Sequence, residues 1–253
     1  MAKKLFVFDL DDTLIDNVHD YAEPILEMAG YIVRHLGSKA PHVYKIIGIE
    51  EEIDAKRVKE INPDTGRPFG YSMERFPGTC VETYREIARR SGVMTDIICE
   101  IELERIGMKA FVTERYSANV KKNAKKTLDF LKFRGDELML LTKGDTRVQV
   151  NKTEALRQSG IDVFSKIRIT DGKDRKEFLV LAGRFKGKKY SVGNSYDSDI
   201  VPAFEAGFKG IYIPAETWET LGKLPAILSK VDNDRCYVLD SLESLISQYG
   251  GLE

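Results

Sequence analysis

Short runs of apolar residues recur along the chain, and each is bounded by Gly, Asp, Thr or Pro. In the carboxy-terminal part, charged amphipathic stretches separate these runs. This alternation predicts buried parallel strands that are joined by helices. The predicted strands are residues 5–8, 138–141, 167–169, 190–193, 210–213 and 237–239, and the predicted helices between them are residues 117–134, 146–158, 175–182 and 198–206.

The stretch between the first two predicted strands is long and has no convincing strand pair. Its pattern predicts helices over residues 21–36, 42–60, 78–90 and 96–106, with a loop rich in Pro and Gly at residues 62–70. A right-handed crossover between parallel strands needs only one helix, so this stretch is predicted to be an insertion. We therefore predict an α/β fold with a doubly wound, Rossmann-like parallel sheet. Residues 1–15 and 113–253 form this core, and residues 16–112 form an inserted all-helical domain.

Composition narrows the possible functions. The 253 residues are 42% hydrophobic and 31% charged, which favours a folded core over disorder. The 39 Lys and Arg residues balance 40 Asp and Glu residues, so nucleic acid is disfavoured as a partner. No apolar run approaches the roughly 20 residues of a membrane span. The apolar run near Met1 is too short for a signal peptide, and three distant cysteines fit reduced thiols, so we expect a cytoplasmic protein.

Two carboxylates, Asp9 and Asp11, follow the first predicted strand at alternate positions. The carboxyl ends of strands in an open α/β sheet face the ligand crevice, so both side chains are expected there. Two carboxylates at one place repel, and Mg²⁺ would relieve that repulsion while leaving room for a phosphate oxygen. Asp9 can then act as a nucleophile and Asp11 as a proton shuttle. The neighbouring Asp12 and Asp16 are predicted to cap the turn or the next helix.

The string from Asp9 to Thr13 resembles the first motif of the haloacid dehalogenase superfamily, Asp-x-Asp-x-Thr. Its second motif, a Ser or Thr at the end of the next strand, is similar to the segment that ends in Thr142. The resemblance implies that the Thr142 hydroxyl and the main-chain amides of Lys143 and Gly144 bind a phosphate.

The third motif is a lysine that offsets the charge of the nucleophile and the phosphate. Lys173 and Lys176 are both candidates. Members of the superfamily usually place an aromatic residue five or six positions after this lysine. Phe178 follows Lys173 by five positions, so we choose Lys173 as the catalytic and phosphate-binding lysine.

The fourth motif, Gly-Asp-x(3–4)-Asp, resembles the segment from Gly193 to Asp199, but Asn194 stands where the superfamily has the first Asp. An asparagine can ligate a metal through its carbonyl oxygen but brings no charge. The implied Mg²⁺ ligands are Asp9, Asp11, Asn194 and Asp199, and the neutral Asn194 leaves the final ligand set open.

The resemblance implies a phosphatase with a type I helical cap that hydrolyses a small phosphate monoester through an aspartyl-phosphate on Asp9, with Mg²⁺ as cofactor. Asp9, Asp11, Thr142 and Lys173 are the implied catalytic residues. Dehalogenases of the superfamily lack the second Asp of the first motif, so Asp11 argues against that activity. A phosphomutase, which keeps all four motifs, and a catalytically weak phosphate-binding scaffold remain as alternatives.

Overall fold

The computed structural model describes residues 3–217 and 220–252. Its sheet has six parallel strands in the order β3-β2-β1-β4-β5-β6. The strands are β1 (Leu5–Phe8), β2 (Glu137–Lys143), β3 (Lys166–Thr170), β4 (Lys189–Gly193), β5 (Lys209–Tyr212) and β6 (Cys236–Val238). The change of direction in strand order falls between β1 and β4, and the carboxyl ends of these strands therefore border the crevice in which α/β proteins bind ligands.

Both faces of the sheet are buried. Phe6 and Phe8 of β1 point to one face, where they join a cluster with Leu128. Leu5 and Val7 point to the other face, where the cluster includes residues of the helices that follow β3 and β4. Because successive side chains of a strand alternate between faces, a strand that is apolar at every position needs helices on both sides. The predicted doubly wound α/β fold is thus confirmed.

Eleven α-helices lie in the described residues. They are α1 (Val18–Leu36), α2 (Val43–Arg57), α3 (Arg75–Arg90), α4 (Ile97–Met108), α5 (Thr113–Ala118), α6 (Ala124–Phe133), α7 (Thr146–Gln158), α8 (Arg175–Ala182), α9 (Val201–Glu205), α10 (Leu224–Leu228) and α11 (Ser244–Gln248). Within the same residues, no helix is both long and apolar enough to cross a membrane.

Two predicted helices differ from the structure. The helix predicted at residues 117–134 is two helices, α5 and α6, because Asn123 between them has a left-handed backbone with φ of 69°. The helix predicted at residues 198–206 starts instead as a π-helical turn, Tyr196–Ile200, and only then continues as α9. This wider turn carries Asp199.

The chain forms two compact units, Met1–Val18 with Tyr116–Glu253 and His19–Arg115. The second unit consists of helices and loops, with one isolated β-bridge between Ile61 and Pro68 in its long loop. Its helix α3 packs against both α2 and α4. The insertion is therefore helical, as predicted. All three cysteines, Cys80, Cys99 and Cys236, are free and buried.

The close packing of α3 and α4 generates a prediction for Gly107→Ala. A Cβ atom at Gly107 would lie 2.6 Å from Cα of Pro77 and 3.2 Å from Sγ of Cys80. We expect the free energy of unfolding to fall by about 1–3 kcal/mol, since overpacking forces the two helices apart. Gly48→Ala in α2 is the matched control, because its Cβ would meet no atom within 4 Å. That variant should stabilise the protein by roughly 0.5–1 kcal/mol. Urea denaturation measures both, and a stable Gly107→Ala variant would contradict the packing described.

Candidate active site

Three charged side chains from three separate elements meet at the carboxyl end of the sheet. Asp9 directly follows β1, and its amide extends the strand pairing by donating to the Val192 carbonyl over 2.9 Å. Lys173 lies in the loop after β3, and its ammonium donates to Oδ1 of Asp9 and, over 2.6 Å, to Oδ1 of Asp199. The side chains of all three residues are buried.

The turn after β4 fixes the position of Asp199. Its Oδ2 accepts a hydrogen bond from the amide of Ser195 over 2.9 Å, and its carbonyl accepts one from the Ser191 hydroxyl over 2.7 Å. A Cβ atom on Gly193 would overlap the Asp199 carboxylate. The glycine that precedes Asn194 is therefore required for the carboxylate to approach the strand.

Burial and charge shift the protonation of this group. Burial, together with the carboxylate of Asp199, raises the pKa of Asp9 to about 7 despite the contact with Lys173. Burial alone would lower the pKa of Lys173, but the carboxylates of Asp199 and Asp9 outweigh it and raise that pKa. The protein thus holds a cation between two carboxylates that are largely removed from water.

A second set of contacts surrounds the other oxygen of Asp9. One of the two terminal atoms of the Asn194 side-chain amide lies 3.2 Å from Oδ2 of Asp9 and 3.0 Å from the carbonyl oxygen of Asp11. Since its neighbours are acceptors, this atom is the amide nitrogen, which also donates to the Thr13 hydroxyl over 3.1 Å. The Thr13 hydroxyl in turn donates to Oδ2 of Asp9 over 3.1 Å. Thr13 and Asn194 together orient the Asp9 carboxylate.

These contacts also test whether Mg²⁺ fits. Adjacent oxygens of an octahedral Mg²⁺ complex lie about 3 Å apart, given metal–oxygen distances of about 2.0–2.1 Å. The Asn194 amide atom lies 3.2 Å from Oδ2 of Asp9 and 3.0 Å from the carbonyl oxygen of Asp11, which is close to this spacing. If the Asn194 amide turned over, its oxygen would lie at these distances from the two other oxygens. Among the described residues, no group of three or more His, Cys, Asp or Glu side chains could hold a metal ion.

The side chains of Asp199 and Asp11, both predicted to bind Mg²⁺, contact other protein groups in the structure. Both carboxylate oxygens of Asp199 are occupied, one by the Lys173 ammonium, which would repel a cation beside it. In this structure Asp199 forms an ion pair with Lys173, and its ligation of Mg²⁺ stays a prediction. The Asp11 side chain points elsewhere, so its main-chain carbonyl is the oxygen that faces Asn194.

The Asp11 carboxylate is held by helix α7. Its Oδ1 accepts from the Lys152 ammonium over 2.6 Å, and its Oδ2 accepts from Nε2 of Gln149 over 2.9 Å. Oε1 of the same Gln149 accepts from the Thr142 hydroxyl over 3.0 Å. Sequence reasoning missed Gln149 and Lys152. One feature of the sequence could have indicated them. Gln149 and Lys152 are three positions apart, on the same face of the predicted helix as the apolar Leu156 and therefore on the face expected to be buried.

The predicted phosphate-binding segment is only partly as expected. Thr142 is fully buried in β2 and Lys143 follows it, with its ammonium 3.5 Å from the Ser198 hydroxyl. The Gly144 amide, however, donates to the Thr170 carbonyl over 3.1 Å and extends the pairing of β2 with β3. The predicted role of the Gly144 amide in binding phosphate would require it to leave this hydrogen bond, and it stays a prediction. Lys176, the alternative motif lysine, is exposed on α8.

The remaining acidic residues of the first and fourth motifs are Asp12 and Asp197. Oδ1 of Asp12 accepts hydrogen bonds from the amides of Asn17 and Val18 and so caps the start of α1. Asp12 itself has a φ of 57°. Asp12 therefore caps the next helix, as predicted. Asp197 is exposed.

Comparison with known proteins gives a fold assignment. No protein-family model matches the sequence, and no curated protein sequence matches it. A haloacid dehalogenase-like hydrolase from Xanthomonas campestris aligns with a TM-score of 0.65 and 18% identity, over 99% of this chain and 92% of that chain. A putative HAD-hydrolase from Bacillus subtilis, bound to magnesium, aligns with a TM-score of 0.58 and 15% identity over 98% of both chains.

A HAD phosphatase from Thermococcus onnurineus is similar to the same extent, with a TM-score of 0.57 and 17% identity over 98% of both chains. Structures of 2-haloacid dehalogenases match as well. The similarity therefore extends over proteins of more than one activity, and it establishes the fold.

The raised pKa of Asp9 predicts how Asp9→Asn changes stability with pH in metal-free protein. Between its ordinary pKa of 3.8 and about 7, the native carboxyl keeps a proton that the unfolded chain releases. The stability that Asp9 contributes is thus present below pH 4 and is lost as the pH rises through about 7. The free energy of unfolding of the wild type, minus that of Asp9→Asn, should fall over this range. Urea titrations in EDTA at several pH values measure it. A difference that rises with pH would contradict the assignment.

Proposed function

Since the chain has the fold of the haloacid dehalogenase-like hydrolases, we propose that it is a Mg²⁺-dependent phosphatase that hydrolyses a small phosphate monoester. The observation that carries the proposal is the pairing of buried Asp9 with Lys173, beside a second carboxylate, Asp11, that has its own donors. One carboxylate is thus available to attack phosphorus and a separate one to move a proton.

In the first step, an oxygen of Asp9 forms a bond to phosphorus while the bond from phosphorus to the ester oxygen breaks. Asp11 gives its proton to the departing alcohol. In the second step, Asp11 takes a proton from water, and the water oxygen displaces Asp9 from phosphorus. Free Asp9, protonated Asp11 and inorganic phosphate are regenerated, so no other reactant is required.

Lys173 and the end of β2 would bind the transferred phosphoryl group. The Lys173 ammonium lies against Asp9 and would offset the charge that nucleophile and phosphate bring together. Thr142 and Lys143 end the strand next to β1 and are the remaining candidates for contacts to the phosphate. Mg²⁺, held by Asp9, the Asp11 carbonyl and Asn194, would stabilise negative charge on the phosphoryl oxygens.

Asp11 also favours a phosphatase over a dehalogenase. A departing alcohol needs a proton, whereas a departing halide does not, and Asp11 supplies a second carboxylate that Gln149 and Lys152 hold at both oxygens. The resemblance in the first motif points the same way, because dehalogenases of the superfamily lack this Asp.

The proposal also includes the class of substrate and the cellular compartment. The near-balance of 39 basic and 40 acidic residues supports a small phosphorylated substrate rather than nucleic acid or an anionic membrane surface. Three free cysteines support a reducing compartment, and we place the protein in the cytoplasm.

Substitution of the two carboxylates tests the mechanism. Asp9→Asn should abolish phosphate release, because an amide does not attack phosphorus. Asp11→Asn should bind substrate but lower kcat by about 10²–10⁴-fold, the usual contribution of a positioned acid or base. Release of inorganic phosphate from a panel of phosphate esters, with and without Mg²⁺, measures both. Asp197→Asn is the matched control, because Asp197 is an exposed Asp of the fourth motif. Wild-type turnover in Asp9→Asn would refute the proposal, and conversion of a sugar phosphate to its isomer would indicate a phosphomutase instead.

The neutral Asn194 generates a prediction about metal affinity. Asn194→Asp adds a negative charge beside Oδ2 of Asp9, which Asn194 approaches to 3.2 Å. We expect tighter Mg²⁺ binding, because a hard cation is attracted to added carboxylate charge. Isothermal titration with Mg²⁺ and the Mg²⁺ dependence of activity both report it. In the absence of Mg²⁺, the variant should unfold at lower temperature than wild type. An unchanged Mg²⁺ titration would show that Asn194 only shapes the turn.

A further inference from the structure

Helix α7 places two buried polar side chains against the site, and the steps described above use neither of them. Gln149 is 4% exposed and Lys152 is 2% exposed, and they lie one helical turn apart. Long polar side chains are costly to bury unless their groups are bonded. Both of these residues make their bonds to Asp11, which is more than 130 positions away in the sequence.

We propose that Gln149 and Lys152 are positioning residues that fix the Asp11 carboxylate for proton transfer, an inference that rests on the proposed phosphatase function. Each oxygen of Asp11 has its own donor, Lys152 for Oδ1 at 2.6 Å and Gln149 for Oδ2 at 2.9 Å. A carboxylate bonded at both oxygens by donors from one helix cannot rotate freely about its last bond. Its orientation is therefore set before substrate arrives.

Gln149 also joins the acid to the neighbouring strand. Its amide group donates to Asp11 and accepts from the Thr142 hydroxyl over 3.0 Å. A single side chain thereby links the end of β1 to the end of β2. The spacing between the proton donor and the candidate phosphate contact at Thr142 is consequently held by one planar group.

Lys152 is itself held in place by further contacts. Its ammonium donates to Oδ1 of Asn17 over 2.5 Å and lies 5.2 Å from the centre of the Tyr116 ring. The helix that carries it is capped by Asp145, whose side chain accepts from the Arg147 amide over 2.8 Å. Lys152 therefore fixes Asp11 against a rigid frame. A small displacement of a reacting group is enough to slow a reaction strongly.

A merely structural role makes a different prediction. If Gln149 and Lys152 only filled the core, their loss would affect all substrates alike. If they position the proton donor, the loss depends on the leaving group. An alkyl alcohol needs a proton to depart, whereas 4-nitrophenolate leaves readily without one.

The test compares Gln149→Leu and Lys152→Met with wild type on an alkyl phosphate monoester and on 4-nitrophenyl phosphate, both with Mg²⁺. We expect kcat for the alkyl ester to fall about 10–100-fold, with little change in KM, as for other losses of supporting contacts. The first-turnover burst of 4-nitrophenolate from 4-nitrophenyl phosphate should change little, because with this substrate Asp11 acts only later, when it takes a proton from water. Thr153→Val is the matched control: Thr153 is buried on the same helix, but its hydroxyl donates to the Val150 carbonyl, away from the site. It should leave both activities unchanged.

The outcomes separate this inference from the proposed function. Wild-type protein that releases phosphate from neither ester refutes the phosphatase, and the positioning role with it. Active wild type combined with variants that lose both activities equally, or lose neither, refutes the positioning role alone. Circular dichroism melting curves identify folded variants, and since the two substitutions are independent, either folded variant decides the question.

Discussion

The shared ion pair of Lys173 with Asp9 and Asp199 is the interaction on which the arrangement of the core depends. Two carboxylates and one ammonium leave a net negative charge at a place with little water. Leaving either carboxylate without its cation would cost about 3–5 kcal/mol, the usual cost of breaking a buried pair. The fold therefore has to bring Asp9, Lys173 and Asp199 within hydrogen-bond distance of one another. The local structure around each residue holds its side chain in position.

The sheet order explains why the cation is carried on a side chain as long as that of lysine. Lys173 follows β3, and β2 lies between β3 and β1, so the side chain must reach past the end of β2 to contact Asp9. Asp199 comes from the opposite side, after β4, through a π-helical turn whose approach depends on the missing Cβ of Gly193. Helix α8 starts two residues after Lys173, at Arg175. The Asp174 side chain caps it by accepting from the Glu177 amide over 3.0 Å, which fixes the backbone next to Lys173.

The sequence predicted those features that depend on local pattern. The strands were found because residues buried on both faces form continuous apolar runs, and Asp9, Lys173 and Asp199 were found because each follows a strand at a motif position. The break at Asn123 was missed, since a left-handed residue inside an otherwise helical pattern leaves no mark on hydrophobic periodicity. The contacts of Gln149 and Lys152 were missed for a different reason. Each partner lies on a distant part of the chain, and only the sheet topology brings helix α7 to the end of β1.

The different surroundings of the two carboxylates suit the two roles proposed for them. The Asp9 side chain is 8% exposed, so its nucleophilic oxygen competes little with water for a bound phosphoryl group. The Asp11 side chain is 26% exposed, although both of its oxygens are bonded to α7. A proton shuttle has to exchange with the departing alcohol and then with water, and it requires this access. A fixed orientation and partial exposure are difficult to combine at the end of a single strand. Here the donors come from a separate helix behind Asp11, which leaves part of the carboxylate open to solvent.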